Sequence, residues 1–132
     1  MAESQRITVM VIEYHSTLRD GLAALLGREA DIEAVYPASI GDALENVLSA
    51  RPEVVLVDLT MPQGAGIDIL QGVRQEQPEI AVVAIVTYEW DDLAGIATKT
   101  GASAVIAADQ MRDELLPTIR RIVRRRRTRV SA

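Results

Sequence analysis

Short apolar runs alternate with amphipathic stretches along the whole chain. Ile7-Thr8-Val9-Met10-Val11-Ile12 is largely β-branched and apolar, the pattern of a strand. Leu18, Leu22, Leu25 and Leu26 then recur at helical spacing, with Arg19, Asp20 and Arg28 opposite and Ser16 placed to cap the helix. Ile32, Ala34 and Tyr36 alternate with Glu33 and Val35, which predicts a strand exposed on one side. Ser39 caps a second helix carrying Ile40, Ala43, Leu44, Val47 and Leu48, and Arg51-Pro52 stops it. Val54 to Val57 is a third strand ending at Asp58, Met61 to Gly66 a loop, and Ile67, Leu70 and Val73 a third helix closed near Pro78. Ile80 to Val86 is a fourth strand, Leu93, Ile96 and Ala97 mark a fourth helix, and Ala104 to Ala107 a fifth strand. Met111, Leu115, Ile119, Ile122 and Val123 make a last helix, in which Pro117 is tolerable only in or near the first turn.

Five β units alternating with five α units mean parallel strands joined by helical crossovers, a doubly wound α/β fold. Runs one, three and four are apolar throughout, as strands covered on both faces should be, while runs two and five are weaker and belong at the edges. Strand order 2-1-3-4-5 satisfies both demands, and its switch point lies between strands one and three. Ligands should therefore meet Glu13, Tyr14 and His15 after the first strand, Asp58 after the third, Thr87 after the fourth, and Ala108 and Asp109 after the fifth.

The composition narrows the chemistry. The 132 residues suit one domain, with no Phe, one Trp and three Tyr, so Val, Ile, Leu and Ala pack the core. The absence of Cys excludes a disulfide or thiolate site, and the single His excludes a multi-histidine metal site. No apolar run approaches the ~20 residues of a membrane span, so a cytoplasmic protein with no membrane partner is expected. Residues 1–119 hold all 19 acids against 7 bases, a net of −12, whereas residues 120–132 hold seven Arg and no acid. An acidic body with a basic tail has to be explained.

A carboxylate closing a buried strand and facing an acid on the neighbouring strand suits a divalent cation or phosphoryl transfer. Asp58 can equally cap the loop that follows it. Val54-Val55-Leu56-Val57-Asp58-Leu59-Thr60-Met61-Pro62-Gln63-Gly64-Ala65-Gly66-Ile67 resembles the phosphoacceptor segment of bacterial response-regulator receiver domains, D-x-x-M-P-x-x-x-G after an apolar strand. Thr87 ends the fourth strand where that family keeps Ser or Thr, and Gly101-Ala102 precedes the fifth as in the family. The resemblance spans roughly residues 6–123 and is nearest to receivers of NarL/LuxR-type transcription regulators. It implies the flavodoxin-like receiver fold, with Asp58 as phosphoryl acceptor and Thr87 binding the phosphoryl oxygen.

The family also places two adjacent acids after strand one to hold Mg²⁺, an aromatic switch residue on strand five, and a Lys after it. Here those positions read Glu13-Tyr14, Val105 and Ala108. Glu13 and Asp58 then offer at most a weakened Mg²⁺ site, and no other cofactor is expected. No local base replaces the lost Lys, since Lys99 falls at the far end of helix four. Losing one preorganised electrostatic partner typically costs about 3–4 kcal/mol of transition-state stabilisation. Tyr14 either donates its hydroxyl to Asp58 or plugs the pocket, His15 reads as a solvated loop residue, and Tyr88-Glu89-Trp90 is either a partner contact or a cover for helix four. Gly64-x-Gly66 is too short for a nucleotide fingerprint.

The resulting expectation is a non-enzymatic, atypical receiver domain over residues 1–123 with a basic linker or tail over 124–132. It would act by protein association, independently of phosphorylation, within a two-component transcription regulator. The alternatives are a working phospho-receiver with Asp58 as acceptor, and a small flavodoxin-like enzyme or nucleotide binder. Expected partners are a second copy, through helix one with helix five or through helix four with strand five and helix five, where helix five offers Leu115, Leu116 and Ile119 near Arg120 and Arg121, and a sensor kinase or other regulatory protein. DNA would be met through a further domain after residue 132, or weakly through Arg120 to Arg129.

Overall fold

The computed structural model describes residues 6–87 and 91–131. Strands β1 (Ile7–Ile12), β2 (Ile32–Val35), β3 (Val54–Asp58), β4 (Ala81–Val86) and β5 (Ala104–Ala107) alternate with helices α1 (Ser16–Gly27), α2 (Ala43–Ala50), α3 (Ala65–Glu76), α4 (Asp91–Thr100) and α5 (Met111–Ser131). All strand pairs are parallel, in the order β2-β1-β3-β4-β5 expected from the apolar pattern.

Period-two alternation divides the core into two layers. Met10, Ile12, Val55, Val57, Val82 and Ala84 pack one sheet face against Ala43 and Val47 of α2, Leu70 and Val73 of α3 and Ala97 of α4. Val9, Val11, Val54, Leu56, Val83 and Ile85 pack the other face against Leu22 and Leu26 of α1 and Leu115, Ile119 and Val123 of α5. With the strands covered on both faces and no Phe in the chain, aliphatic side chains carry the core.

Several local expectations change. His15, not Ser16, holds the cap position of α1, and Ser16 is its first helical residue. α2 starts at Ala43; Ser39 instead closes a turn before it, its hydroxyl accepting from the Asp42 N–H at 3.1 Å. Pro62–Gly64 forms a short 3₁₀ turn inside the expected loop. Pro117 lies well inside α5, not in its first turn. A proline there removes the N–H that would reach the Asp113 carbonyl. The helix persists because Leu115, Ile119 and Val123 are buried against the sheet. The same burial takes Leu115 and Ile119 out of the expected association surface, since they are 0% exposed and belong to the chain's own core. Arg120 is likewise engaged, with Glu29 and Asp31. α5 runs unbroken past residue 123.

Candidate functional site

Asp58 is carried to the carboxyl edge of the sheet by β3 and held in register opposite Ile85 of β4. The chain then turns sharply: Leu59 donates its N–H to the Ile85 carbonyl at 3.0 Å, and Leu59 and Met61 are buried in the core. Gly64 adopts φ +70°, a left-handed conformation natural to glycine. A Cβ at Gly66 would stand 2.9 Å from the Leu59 Cα and collide with the Asp58 carbonyl. Glycine at this position is thus what lets α3 begin directly beneath Asp58.

The Asp58 carboxylate is 2% exposed. Its Oδ1 accepts from the Thr60 N–H at 2.7 Å and the Thr60 hydroxyl at 2.6 Å, while Oδ2 is buried with no hydrogen-bond donor among the described residues. Glu13, at the end of β1, is equally enclosed. Its Oε2 accepts from the Tyr14 N–H at 3.0 Å and the His15 N–H at 3.1 Å, and its Oε1 has no donor among the described residues. Burial first, and then the adjoining Asp58 carboxyl, push the Glu13 carboxyl up to about 7. Thr87, immediately after β4, has a buried hydroxyl oxygen without a partner among the described residues.

His15 is brought into this group. Its Nδ1 lies 3.4 Å from Glu13 Oε2 and 3.6 Å from Asp58 Oδ2, while 53% of the side chain faces solvent. It is exposed, as expected, but it is not merely a loop residue, and it stands where no base was anticipated. Its backbone is extended (φ −76°, ψ 120°). Residues two apart in an extended segment point to the same side, so the Glu13-x-His15 spacing held this signal.

Tyr14 points the other way. It is 52% exposed, its ring meets the His15 ring edge-on at 4.7 Å, and it borders a groove with Arg19, Asp20 and Tyr36. Among the described residues no hydrogen bond joins its hydroxyl to Asp58, so it neither mimics a filled site nor plugs the pocket. Val105 packs as an aliphatic residue against the α3–α4 layer, and Ala108 packs on the opposite layer as β5 leads into a 3₁₀ turn. Lys99 sits in the last turn of α4. Tyr88, Glu89 and Trp90 lie outside the described residues. The two donor-free carboxylate oxygens, Glu13 Oε1 and Asp58 Oδ2, are groups that a divalent cation would satisfy.

A family model for the response regulator receiver domain matches residues 9–120. The chain belongs to that family. Among its curated relatives, the transcriptional regulatory protein MctR of Rhizobium johnstonii is 32% identical over 120 residues, covering 90% of this chain and 56% of the relative. The transcriptional activator DevR/DosR of Mycobacterium tuberculosis is 29% identical over 104 residues, covering 78% of this chain and 48% of the relative. This receiver domain thus spans about half the length of the curated relatives it matches. Solved receiver structures share the fold: one from Clostridium thermocellum gives a TM-score of 0.83 at 24% identity, covering 92% of this chain and 98% of that one. A LuxR-family response regulator from Aurantimonas gives 0.80 at 24% identity, covering 89% and 84%. Among the described residues, no helix is long and apolar enough to cross a membrane.

Proposed function

We propose that this receiver domain is a regulatory association module whose Asp58 pocket does not run an ordinary phosphorylation switch. The observation that carries the reading is Ala108: at the position after β5 where the family keeps a Lys, a small apolar side chain packs into the layer with α1 and α5 and offers no cation for phosphoryl transfer. Tyr14, turned outward and without a carboxylate, removes a second contribution. The Thr60 hydroxyl already occupies Oδ1 of the acceptor. The names of its relatives support a place in transcription control. Association with a second copy and with a regulatory protein, and DNA contact through a segment beyond this receiver, belong to the same proposal.

A second reading has its own support. Asp58 Oδ2, Glu13 Oε1 and Thr87 Oγ1 are buried without donors at the carboxyl edge of the sheet, and a phosphoryl group with Mg²⁺ would use all three. In that reading an Asp58 oxygen attacks phosphorus, the phosphorus–oxygen bond to the leaving group breaks, and an acyl phosphate forms. Intact mass after incubation with acetyl phosphate and Mg²⁺ separates the two. An unchanged mass is expected; one added phosphoryl group, absent from Asp58→Asn, would establish the second reading.

A further inference from the structure

We propose that Glu13, His15 and Asp58 form a site for a divalent transition metal, Zn²⁺ foremost, rather than an all-oxygen Mg²⁺ site. One donor atom from each of the three residues lies within 4.8 Å of the other two. The distances from His15 Nδ1, 3.4 Å to Glu13 Oε2 and 3.6 Å to Asp58 Oδ2, are those of ligands sharing one ion. A tetrahedral ion with bonds of about 2.0–2.2 Å has ligand-to-ligand edges of about 3.3–3.6 Å. His15 Nδ1 thus already stands at ligand spacing from one oxygen of each carboxylate, and the two carboxylate oxygens lie within 4.8 Å of one another.

Charge and support agree with the spacing. Two carboxylates that are 3% and 2% exposed face one another with donor-free oxygens, an arrangement that is costly until a cation joins it. With a neutral imidazole, two carboxylates balance a dication. Existing contacts already orient the ligands: Thr60 holds Asp58 at Oδ1, away from the donor-free Oδ2, and the Tyr14 and His15 N–H groups fix Glu13 through Oε2 and leave Oε1 free. Such outer contacts typically govern metal affinity by about 10–100-fold. The half-exposed imidazole gives the ion a route in and leaves room for water as fourth ligand. Mg²⁺ prefers octahedral oxygen ligands, and imidazole suits Zn²⁺ and its transition-metal neighbours.

This proposal deepens the function given above and rests on its premise that the Asp58 pocket is free of phosphoryl chemistry, because an ion seated on Asp58 Oδ2 would occupy the attacking oxygen. The chain has one His and no Cys, so an imidazole-bound metal has a single possible source. The test is calorimetric titration of the 132-residue chain with Zn²⁺ and, separately, Mg²⁺, without any phosphoryl donor, together with the visible spectrum after Co²⁺ addition. The expected result is one Zn²⁺ per chain, bound about tenfold or more tighter than Mg²⁺, and an intense tetrahedral Co²⁺ band. His15→Asn, which keeps a good residue at the α1 cap position, should cut Zn²⁺ affinity about tenfold or more and leave Mg²⁺ unchanged. Asp58→Asn should weaken both. Equal affinity for Zn²⁺ and Mg²⁺, or undiminished Zn²⁺ binding by His15→Asn, would overturn the proposal. Neither result bears on the acetyl phosphate experiment, which tests the regulatory function independently.

Discussion

At the amino edge of the sheet, Arg120 grips Asp31 through two hydrogen bonds of 3.0 and 2.9 Å and reaches Glu29 at 2.6 Å, while Arg127 holds Glu53 at 2.9 and 2.6 Å. At the carboxyl edge, Glu13 and Asp58 stand together with one oxygen each unserved and only the edge of His15 nearby. The first set is partly in water, and every carboxylate in it faces a guanidinium. The second is buried and mismatched. Surface ion pairs contribute little to stability, whereas enclosed like charges cost a good deal. A protein keeps the second arrangement where something other than stability is served, so strain and function point to the carboxyl edge.

The largest test of that difference is steric. Gly66→Ala would drive a methyl group into the backbone at Asp58 and Leu59. Overpacking against backbone typically costs about 1–3 kcal/mol and sometimes more, and this position should reach the upper end. Urea denaturation should show the loss, and metal or phosphoryl chemistry at Asp58 should vanish with it. A fully stable Gly66→Ala protein would mean that the turn beneath Asp58 is looser than its geometry states.

Removing the buried charge should do the reverse. Glu13 has a folded-state pKa raised from 4.5 to about 7, so the native protein binds this proton more tightly than the unfolded chain. Stability from this group is full below pH 4.5 and is lost as pH rises through about 7. Glu13→Gln keeps an oxygen for the Tyr14 and His15 N–H groups and adds a donor beside Asp58. It should be about 1–3 kcal/mol more stable than the parent at about pH 8 and level with it at about pH 4.5. Unfolding free energies across that range decide it, and a parent-like slope in the variant would show that Glu13 does not carry the dependence.

The sheet order, the four helical crossovers and the placing of Glu13, Asp58 and Thr87 are legible in the sequence, because apolar periodicity and the D-x-x-M-P-x-x-x-G spacing are local signals. The features that escape it depend on tertiary contact. Pro117 forbids a helix interior by propensity, yet the burial of Leu115, Ile119 and Val123 outweighs one missing hydrogen bond. Those same leucine and isoleucine side chains read as an exposed association stripe because helical spacing does not say which side of α5 meets the sheet. His15 reads as a solvated residue because its exposure is real. Its approach to Glu13 is written in the Glu13-x-His15 spacing, and its place at the switch point in the strand order, but the 3.6 Å approach of Nδ1 to Asp58 emerges only from the tertiary structure.

The smallest effects belong to the amino edge. Arg120 and Arg127 are 35% and 34% exposed, so water and salt screen their pairs. Arg120→Ala and Arg127→Ala should each cost about 0.2–1 kcal/mol at low salt, and the losses should shrink as salt is raised. Hydrogen bonds from Arg120 hold the Asp31 carboxyl below its ordinary 3.8. Its contribution is therefore present above that value and fades as pH falls through the lower folded-state value, opposite in sign to Glu13. Between about pH 4.5 and pH 8 the Arg120→Ala penalty should stay flat while the effect of Glu13→Gln grows. If both penalties moved together with pH, the two edges would be electrostatically joined through the sheet, and the division between a matched edge and a mismatched one would fail.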